Sequence, residues 1–395
     1  MRVLWLDPFH GGSHAAVAAG YAARSAHSVQ LLTLPISGGW RWRMRGGAVT
    51  LARLARALEA RPDLIVASDM LDLATFRALT ADRLGGVPAV VYFHENQLTY
   101  PLPPDRQRDL SFAWVNYTAA LTANAVIFNS DFHRRSFLAA LPGLLARYHD
   151  YQELDTVAQI AAKSHVLPPG IDLASLDDGR RTTDDGRRTT DDRRPTTDDQ
   201  ATPPAARLSA IGYRLSAIAP RSILWNSRWE YDKQPAAFFA ALEGLEARGV
   251  PFRLLVAGEH IDPQAPEFVA ARARWAPQID HWGYAPTRAA YAALLRRADV
   301  VVSTAIQEFF GIGVLEAMYR GCAPLLPSRL NYPDLLPPEL HAACLYDDPT
   351  GLVDQLAAAL RRPPQRQRWR AVAAPYDWGH AAAHYDALFA ALAAE

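Results

Sequence analysis

Short apolar runs alternate with amphipathic stretches along nearly the whole chain. In the first half the runs are Val3–Leu6, Ser28–Leu34, Asp63–Ser68, Ala89–His94, Ala125–Ser130 and His165–Leu167. In the second half they are Ser222–Asn226, Phe252–Ala257, Ile279–Trp282, Asp299–Ser303, Ala323–Pro327 and Cys344–Tyr346. Several are continuously apolar rather than alternating, as in parallel strands covered on both faces. Between them, Leu51, Leu54, Ala55 and Leu58 have the i, i+3, i+4, i+7 spacing of one buried helix face. Gly46 and Gly47 are read as preceding that helix and Pro62 as stopping it. The strand–helix–strand rhythm predicts right-handed βαβ units, hence an α/β fold of open doubly wound sheets.

The rhythm breaks once. Asp177–Gln200 reads DDGRRTT, DDGRRTT, DDRRPTT, DDQ, a seven-residue repeat with no apolar a or d positions. It has nothing to bury and is predicted to be disordered. Its six arginines sit among eight aspartates, which disfavours a nucleic-acid arm. A second echo follows, RLSAI at Arg207–Ile211 and again at Arg214–Ile218. The chain therefore divides into two Rossmann-like halves, residues 1–170 and 207–375, joined by a linker over 171–206.

Composition narrows the class. A length of 395 residues suggests two domains, and an apolar fraction of 50% excludes a wholly disordered chain. Cys322 and Cys344 alone exclude a disulfide-built scaffold. Lys+Arg and Asp+Glu are both 41, so any nucleic acid would have to be held by a local patch. The apolar run at the N-terminus is too short for a signal peptide, and no run reaches 18 apolar residues. A cytoplasmic, soluble protein is expected.

Open parallel sheets bind ligands beyond the carboxyl ends of their strands. After the first run comes DPFHGGSH, Asp7–His14, whose glycines and following helix start suit an anion. It is not GxGxxG, which disfavours a nicotinamide dinucleotide. After the fourth run, His94, Glu95, Asn96 and Gln97 crowd polar groups where a substrate would lie. The tract Trp40-Arg41-Trp42-Arg43-Met44-Arg45 alternates aromatic and basic; if extended, it puts rings on one face and guanidiniums on the other. Aromatics stack bases and arginines hold phosphates, so this is the one local patch that suggests RNA. In the second half, Arg228 and Lys233 follow a strand and suit a diphosphate. The strongest signal is Glu308–Glu316, two carboxylates separated by seven residues around Gly311 and Gly313. A helical span of that length, about 12 Å, exceeds the separation of a glycosidase pair. Two acids holding opposite ends of a sugar nucleotide fit better, with the helix N-terminus taking its phosphates.

At this point a resemblance enters. Glu308–Glu316 matches the E-x7-E motif of retaining family 4 glycosyltransferases, which have the GT-B fold of two Rossmann-like domains facing across a cleft. LPPGID, Leu167–Asp172, resembles that family's interdomain segment. DPFHGGSH, WRWRMR, YFHENQLTYP, FNS, RWEYDKQP and the EFFG…LEA block are more specific. Together they resemble the tRNA-queuosine α-mannosyltransferase family.

The resemblance implies transfer of mannose from GDP-mannose to the cyclopentenediol of queuosine in a tRNA anticodon, without a metal. It implies that His94, Glu308, Arg228 and Lys233 serve catalysis. The donor would be bound by Gly12, Arg228, Lys233, Glu308, Phe310, Gly311, Ile312 and Glu316. The acceptor would meet His10, Ser13, His14, Arg41, Trp42, Arg43, Arg45, Asp69, Glu95 and Asn96. The last helix, in residues 376–395, would pack back on the first domain.

Two alternatives stay open. One is a family 4 transferase acting on a lipid or polysaccharide, which a basic amphipathic helix would favour; the N-terminal half suggests none. The other is a non-catalytic nucleotide-sugar or RNA-binding protein.

Overall fold

The computed structural model describes residues 1–37, 39–177, 220–259 and 265–394. The predicted disorder of the DDGRRTT repeat beyond Asp177, and the RLSAI echo, lie outside those residues.

Among the described residues six strands form the first sheet: β1 (Arg2–His10), β2 (Ser28–Pro35), β3 (Leu64–Ser68), β4 (Ala89–Phe93), β5 (Ala125–Phe128) and β6 (Ser164–Val166). Six more form the second: β7 (Arg221–Asn226), β8 (Phe252–Ala257), β9 (Ile279–Gly283), β10 (Val300–Val302), β11 (Ala323–Pro327) and β12 (Leu345–Tyr346). The orders are β2-β1-β3-β4-β5-β6 and β12-β11-β10-β7-β8-β9. The pairing is parallel throughout. Order reverses beside β1 in one sheet and beside β7 in the other, the switch points where such sheets open a crevice.

Alternation along each strand explains the layers. Leu4 and Leu6 of β1 face a core with Ala48, Leu51, Phe76, Phe137 and Leu141 of flanking helices. Val3 and Trp5 face the opposite layer with Val17, Tyr21, Trp378, Tyr385 and Phe389. The second sheet repeats this, with Leu224 and Leu255 on one face and Ile223, Trp225 and Val256 on the other.

The closing helix, Trp378–Ala394, lies against the first sheet. Its fully buried Trp378 fits between two glycines. A Cβ at Gly20 would come within 2.1 Å of the indole, and one at Gly170 within 2.3 Å. Asp377 Oδ2 accepts from the backbone N–H groups of Leu173 (3.0 Å) and Ala174 (3.2 Å), stapling the interlobe segment to this helix.

Candidate active site

The carboxyl ends of both sheets border one cavity of about 1040 Å³. Its walls differ in chemistry.

The C-terminal wall carries the cations. Arg228 follows β7 and pairs with Glu230 at 3.1 Å. Lys233 ends a short 3₁₀ turn and is buried. Its Nζ donates to the Gln307 carbonyl (2.8 Å) and meets Asp232 Oδ2 (3.0 Å) and Glu308 Oε2 (3.4 Å). Burial opposes its charge, but Glu308 and Asp232 outweigh that and hold the ammonium above the usual lysine range. Gly311 has φ 108°, a left-handed conformation that favours glycine, and turns the chain into the helix Ile312–Tyr319. Phe310, Gly311 and Ile312 line the cavity at that helix N-terminus, and Asn331 Nδ2 donates to the Phe310 carbonyl at 2.9 Å. Glu316 is buried in the same helix and lies off the cavity wall. Its Oε1 accepts from Arg288 at 2.6 Å. Burial raises its pKa against the pull of Arg288 and Tyr291.

The centre of the N-terminal wall is built from imidazoles and backbone, with Glu95, Trp40 and Arg41 beside them. Gly12, at φ 53°, Ser13 and His14 open the helix Gly12–Ala22 and face the cavity with His94 and Glu95. The rings of His14 and His94 are in contact, with centroids 4.0 Å apart and planes tilted by 33°. Burial, with His14 and His133 nearby, holds the His94 pKa well below the usual imidazole value, so the ring is neutral at pH 7. Its Nε2 is buried with no hydrogen-bond partner among the described residues. The His94 N–H donates to Asp69 Oδ1 at 2.8 Å, and its carbonyl accepts from Asn129 Nδ2 at 2.8 Å. Asp69 is fully buried, and desolvation with the Glu95 charge raises its pKa well above normal.

Not every residue expected at the site reaches this cavity. Asp69 and Asn96 sit beneath the wall; Asn96 organises its own turn, accepting from the N–H groups of Leu98 (3.0 Å) and Thr99 (2.8 Å). His10 belongs to β1, which continues through Asp7–His10 beyond the apolar run that ends at Leu6, and its Nδ1 meets Asp7 Oδ2 at 3.0 Å. The WRWRMR tract is helical rather than extended. Gly46 and Gly47 lie inside the helix Trp40–Arg56 rather than before it. Apolar positions set every three to four residues from Met44 onward bury one face and draw the tract into the helix. Trp40 and Arg41 reach the cavity; Trp42, Arg43 and Arg45 do not. Trp42 is 65% exposed and lies over Gly46, where a Cβ would be 2.5 Å from its ring. Arg43 donates to the Ser37 carbonyl (2.7 Å), and Arg45 bonds to Ser111. This helix carries five arginines and no acid, so the N-terminal half does hold a basic amphipathic helix, contrary to expectation.

Asp7 escaped the sequence reading. It is fully buried behind the two histidines. Burial pushes its pKa up, but the His10 hydrogen bond, the His14 charge and the Phe9 N–H together hold it below normal. An acid interrupting an apolar strand, three residues before one histidine and seven before another, was the available signal. Tyr100 was also missed; it crosses the cleft to donate to Asp232 Oδ2 at 3.2 Å.

Comparison with known proteins assigns this architecture. Residues 2–171 match the family model described as tRNA-queuosine alpha-mannosyltransferase N-terminal, and residues 219–374 match glycosyl transferases group 1. A tRNA-queuosine alpha-mannosyltransferase of Drosophila melanogaster is 30% identical over 92% of this chain and 88% of its own length. The chain belongs to the tRNA-queuosine α-mannosyltransferase family. It is a glycosyltransferase, and its two doubly wound domains form the GT-B fold.

Members of wider families resemble it less closely. A GDP-mannose-dependent alpha-(1-6)-phosphatidylinositol dimannoside mannosyltransferase of Mycobacterium tuberculosis is 26% identical over 91% of the chain and 81% of its own. Sucrose-phosphate synthase of Thermosynechococcus elongatus superposes with TM-score 0.65 at 14% identity, covering 100% of both chains. Anabaena HepE in complex with UDP and glucose gives 0.58 at 14% identity, over 99% and 100%. These two structural likenesses concern the fold alone. Among the described residues no helix is long and apolar enough to cross a membrane, and no group of three or more His, Cys, Asp or Glu is placed to hold a metal.

Proposed function

We propose that this glycosyltransferase moves mannose from GDP-mannose to the cyclopentenediol of queuosine in tRNA, in the cytoplasm and with retention at the sugar. The observation that carries the reading is the shared cavity. Arg228, Lys233 and Glu308 line it from one lobe, and His14, His94 and Glu95 from the other, within a family whose Drosophila member is named for this reaction. Residues 1–170 serve as the acceptor domain and 207–375 as the donor domain. The linker over 171–206 connects them, and the last helix, in 376–395, braces the first.

Arg228 and Lys233 take the diphosphate and stabilise the charge that grows as it leaves, an interaction stronger in the transition state than in the ground state. These two cations do this without a metal. The N–H groups at Phe310–Ile312, with Gly12 opposite, complete the anion site. Glu308 accepts from a hexose hydroxyl. Glu316 binds the ribose, for which Arg288 has to share or release it. His94, kept neutral, lies beside the reacting carbon and offers hydrogen bonds without adding positive charge. The acceptor hydroxyl attacks from the face the diphosphate leaves, and a phosphate oxygen takes its proton. Ser13, His14 and Glu95 meet the acceptor base. Arg41, Trp42, Arg43 and Arg45 face the anticodon arm, with the rest of their helix following the phosphates. His10, Asp69 and Asn96 support this wall from behind.

The test is mass spectrometry of nucleosides from queuosine-containing tRNA incubated with the protein and a panel of sugar nucleotides. Queuosine gains a hexose with GDP-mannose; no gain with any donor sinks the reading. A second reading, a lipid acceptor, is favoured by the arginine-rich helix with exposed Trp42 and by the mycobacterial relative. Mannose transfer to anionic lipid vesicles but not to tRNA would establish it.

A further inference from the structure

Glu308 stands between two anchors that belong to different lobes. On one side Lys233, of its own lobe, donates to the Gln307 carbonyl at 2.8 Å. On the other, Ser130 Oγ of the N-terminal lobe donates to the Phe309 carbonyl at 2.6 Å. The Phe309 ring is buried and stacks on His133, with centroids 3.8 Å apart and planes 22° from parallel.

His133 is itself held on both nitrogens. Asn129 commits its Nδ2 to the His94 carbonyl, so its Oδ1 accepts from His133 Nδ1 at 2.9 Å. Asn96 commits its Oδ1 to two backbone N–H groups, so its Nδ2 donates to His133 Nε2 at 2.9 Å. The neutral Nδ1–H tautomer satisfies all of these partners. Desolvation keeps the ring neutral, so no unpaired charge is buried against Phe309. One buried histidine thus links the acceptor wall, through Asn129 to the His94 carbonyl, to the Phe309 ring of the donor loop.

We propose that Phe309, seated on His133 and Ser130, is a positioning residue. It sets the reach of Glu308 toward the donor hexose, so that the sugar site is complete only with the N-terminal lobe docked against the loop. This rests on the reading that Glu308 holds the hexose. The diphosphate is met by Arg228 and Lys233 from a different loop and by the N–H groups of Phe310–Ile312. Asn331 holds that segment within its own lobe through the Phe310 carbonyl at 2.9 Å, so nucleotide binding is expected to survive loss of this junction.

The test combines transfer kinetics with calorimetry using GDP-mannose and GDP. Phe309→Leu removes the ring stack. Ser130→Ala removes the hydrogen bond to the Phe309 carbonyl, with the helix cap on the His133 N–H, while leaving the Phe309 side chain intact. Both are expected to keep wild-type GDP affinity and to lose about 10- to 100-fold in kcat, the scale of a misplacement near 1 Å. Phe309→Leu should add less than about twofold to the loss in Glu308→Gln, because both disturb the same interaction with the sugar. If Glu308→Gln leaves both transfer and GDP-mannose affinity unchanged, the reading of Glu308 falls and takes the inference with it. If Glu308→Gln loses transfer but Phe309→Leu keeps full kcat, only the inference falls. It also falls if the Phe309→Leu loss adds in full to that of Glu308→Gln, or if GDP affinity drops in step with kcat. Should Phe309→Leu fail to fold, the same outcomes for Ser130→Ala decide it.

Discussion

The two walls of the cavity handle charge in opposite ways. The C-terminal wall keeps its cations charged: Lys233 is buried, yet Asp232 and Glu308 hold it ionised, and Arg228 is held above its usual range against the cost of burial by Glu230 and its neighbours. Around His94 the N-terminal wall suppresses charge instead: His94 and His133 are neutral, and Asp69 is pushed toward its protonated form, while charge is kept at Asp7 behind the wall. Both sets of groups are buried, so desolvation alone does not separate them. What differs is the partner: carboxylates beside the cations, rings or amides beside the two imidazoles, and a like-charged carboxylate, Glu95, beside Asp69. Cations kept ionised by neighbouring carboxylates suit an anionic leaving group. A neutral, hydrogen-bonding imidazole such as His94 suits an alcohol that must stay close to an oxocarbenium-like centre without repelling it.

The largest expected effect tests that division directly. Lys233→Ala removes the buried cation and leaves Asp232 and Glu308 without it; transfer should fall about 10²- to 10³-fold, as when one preorganised stabilising group is lost. GDP affinity should fall with it, whereas His94→Gln should lower transfer and leave GDP affinity unchanged. Calorimetry showing equal loss of GDP binding in both variants breaks the comparison.

Next comes the pH dependence of stability. An unfolded histidine titrates near 6.5, while folded His94 and His133 titrate well below that. Below pH 6.5 the unfolded chain therefore binds more protons than the folded one. Each residue then withdraws about 1.4 kcal/mol per pH unit as pH falls toward its folded value. Urea unfolding between pH 7 and 5 should show a slope in His94→Gln that is shallower by one proton; an unchanged slope means that the ring is not buried and neutral.

A smaller effect separates acceptor from donor binding. Arg41→Gln and Arg45→Gln should weaken tRNA binding, and each should reduce the logarithmic salt slope by about one if its guanidinium pairs with a phosphate. GDP affinity should not move, and a parallel loss would place these arginines on the donor side. The smallest change in activity is expected for Asp69→Asn, whose amide oxygen can still accept from the His94 N–H. A carboxyl with a raised folded pKa loses stability as pH rises above its unfolded value. The asparagine variant should therefore become increasingly more stable than wild type from pH 4 to 8, and a growing disadvantage over that range would show Asp69 to be ionised.

Chain order and local pattern determined a good deal. Twelve short apolar-rich runs mark the twelve parallel strands of the described residues. Inner strands such as β3 and β4 are apolar at nearly every position because both faces are buried, whereas the edge strands β2, β6 and β9 keep polar positions. The candidate residues that follow strand ends, His14, His94, Arg228 and Lys233, reach one cavity, since both switch points open toward it. Where helical and extended readings competed, as at Trp40–Arg45, the neighbouring apolar face decided in favour of helix, and a six-residue window does not contain that face. Tertiary structure alone settled which polar groups are wall and which are foundation. Asn96 and Glu95 are adjacent in the chain, yet one supports a turn and the other faces the cavity. It also settled the pairings across lobes. Phe309 and His133 are far apart in sequence, and no local periodicity encodes their stacking, because it arises from two separately folded sheets coming to rest against each other.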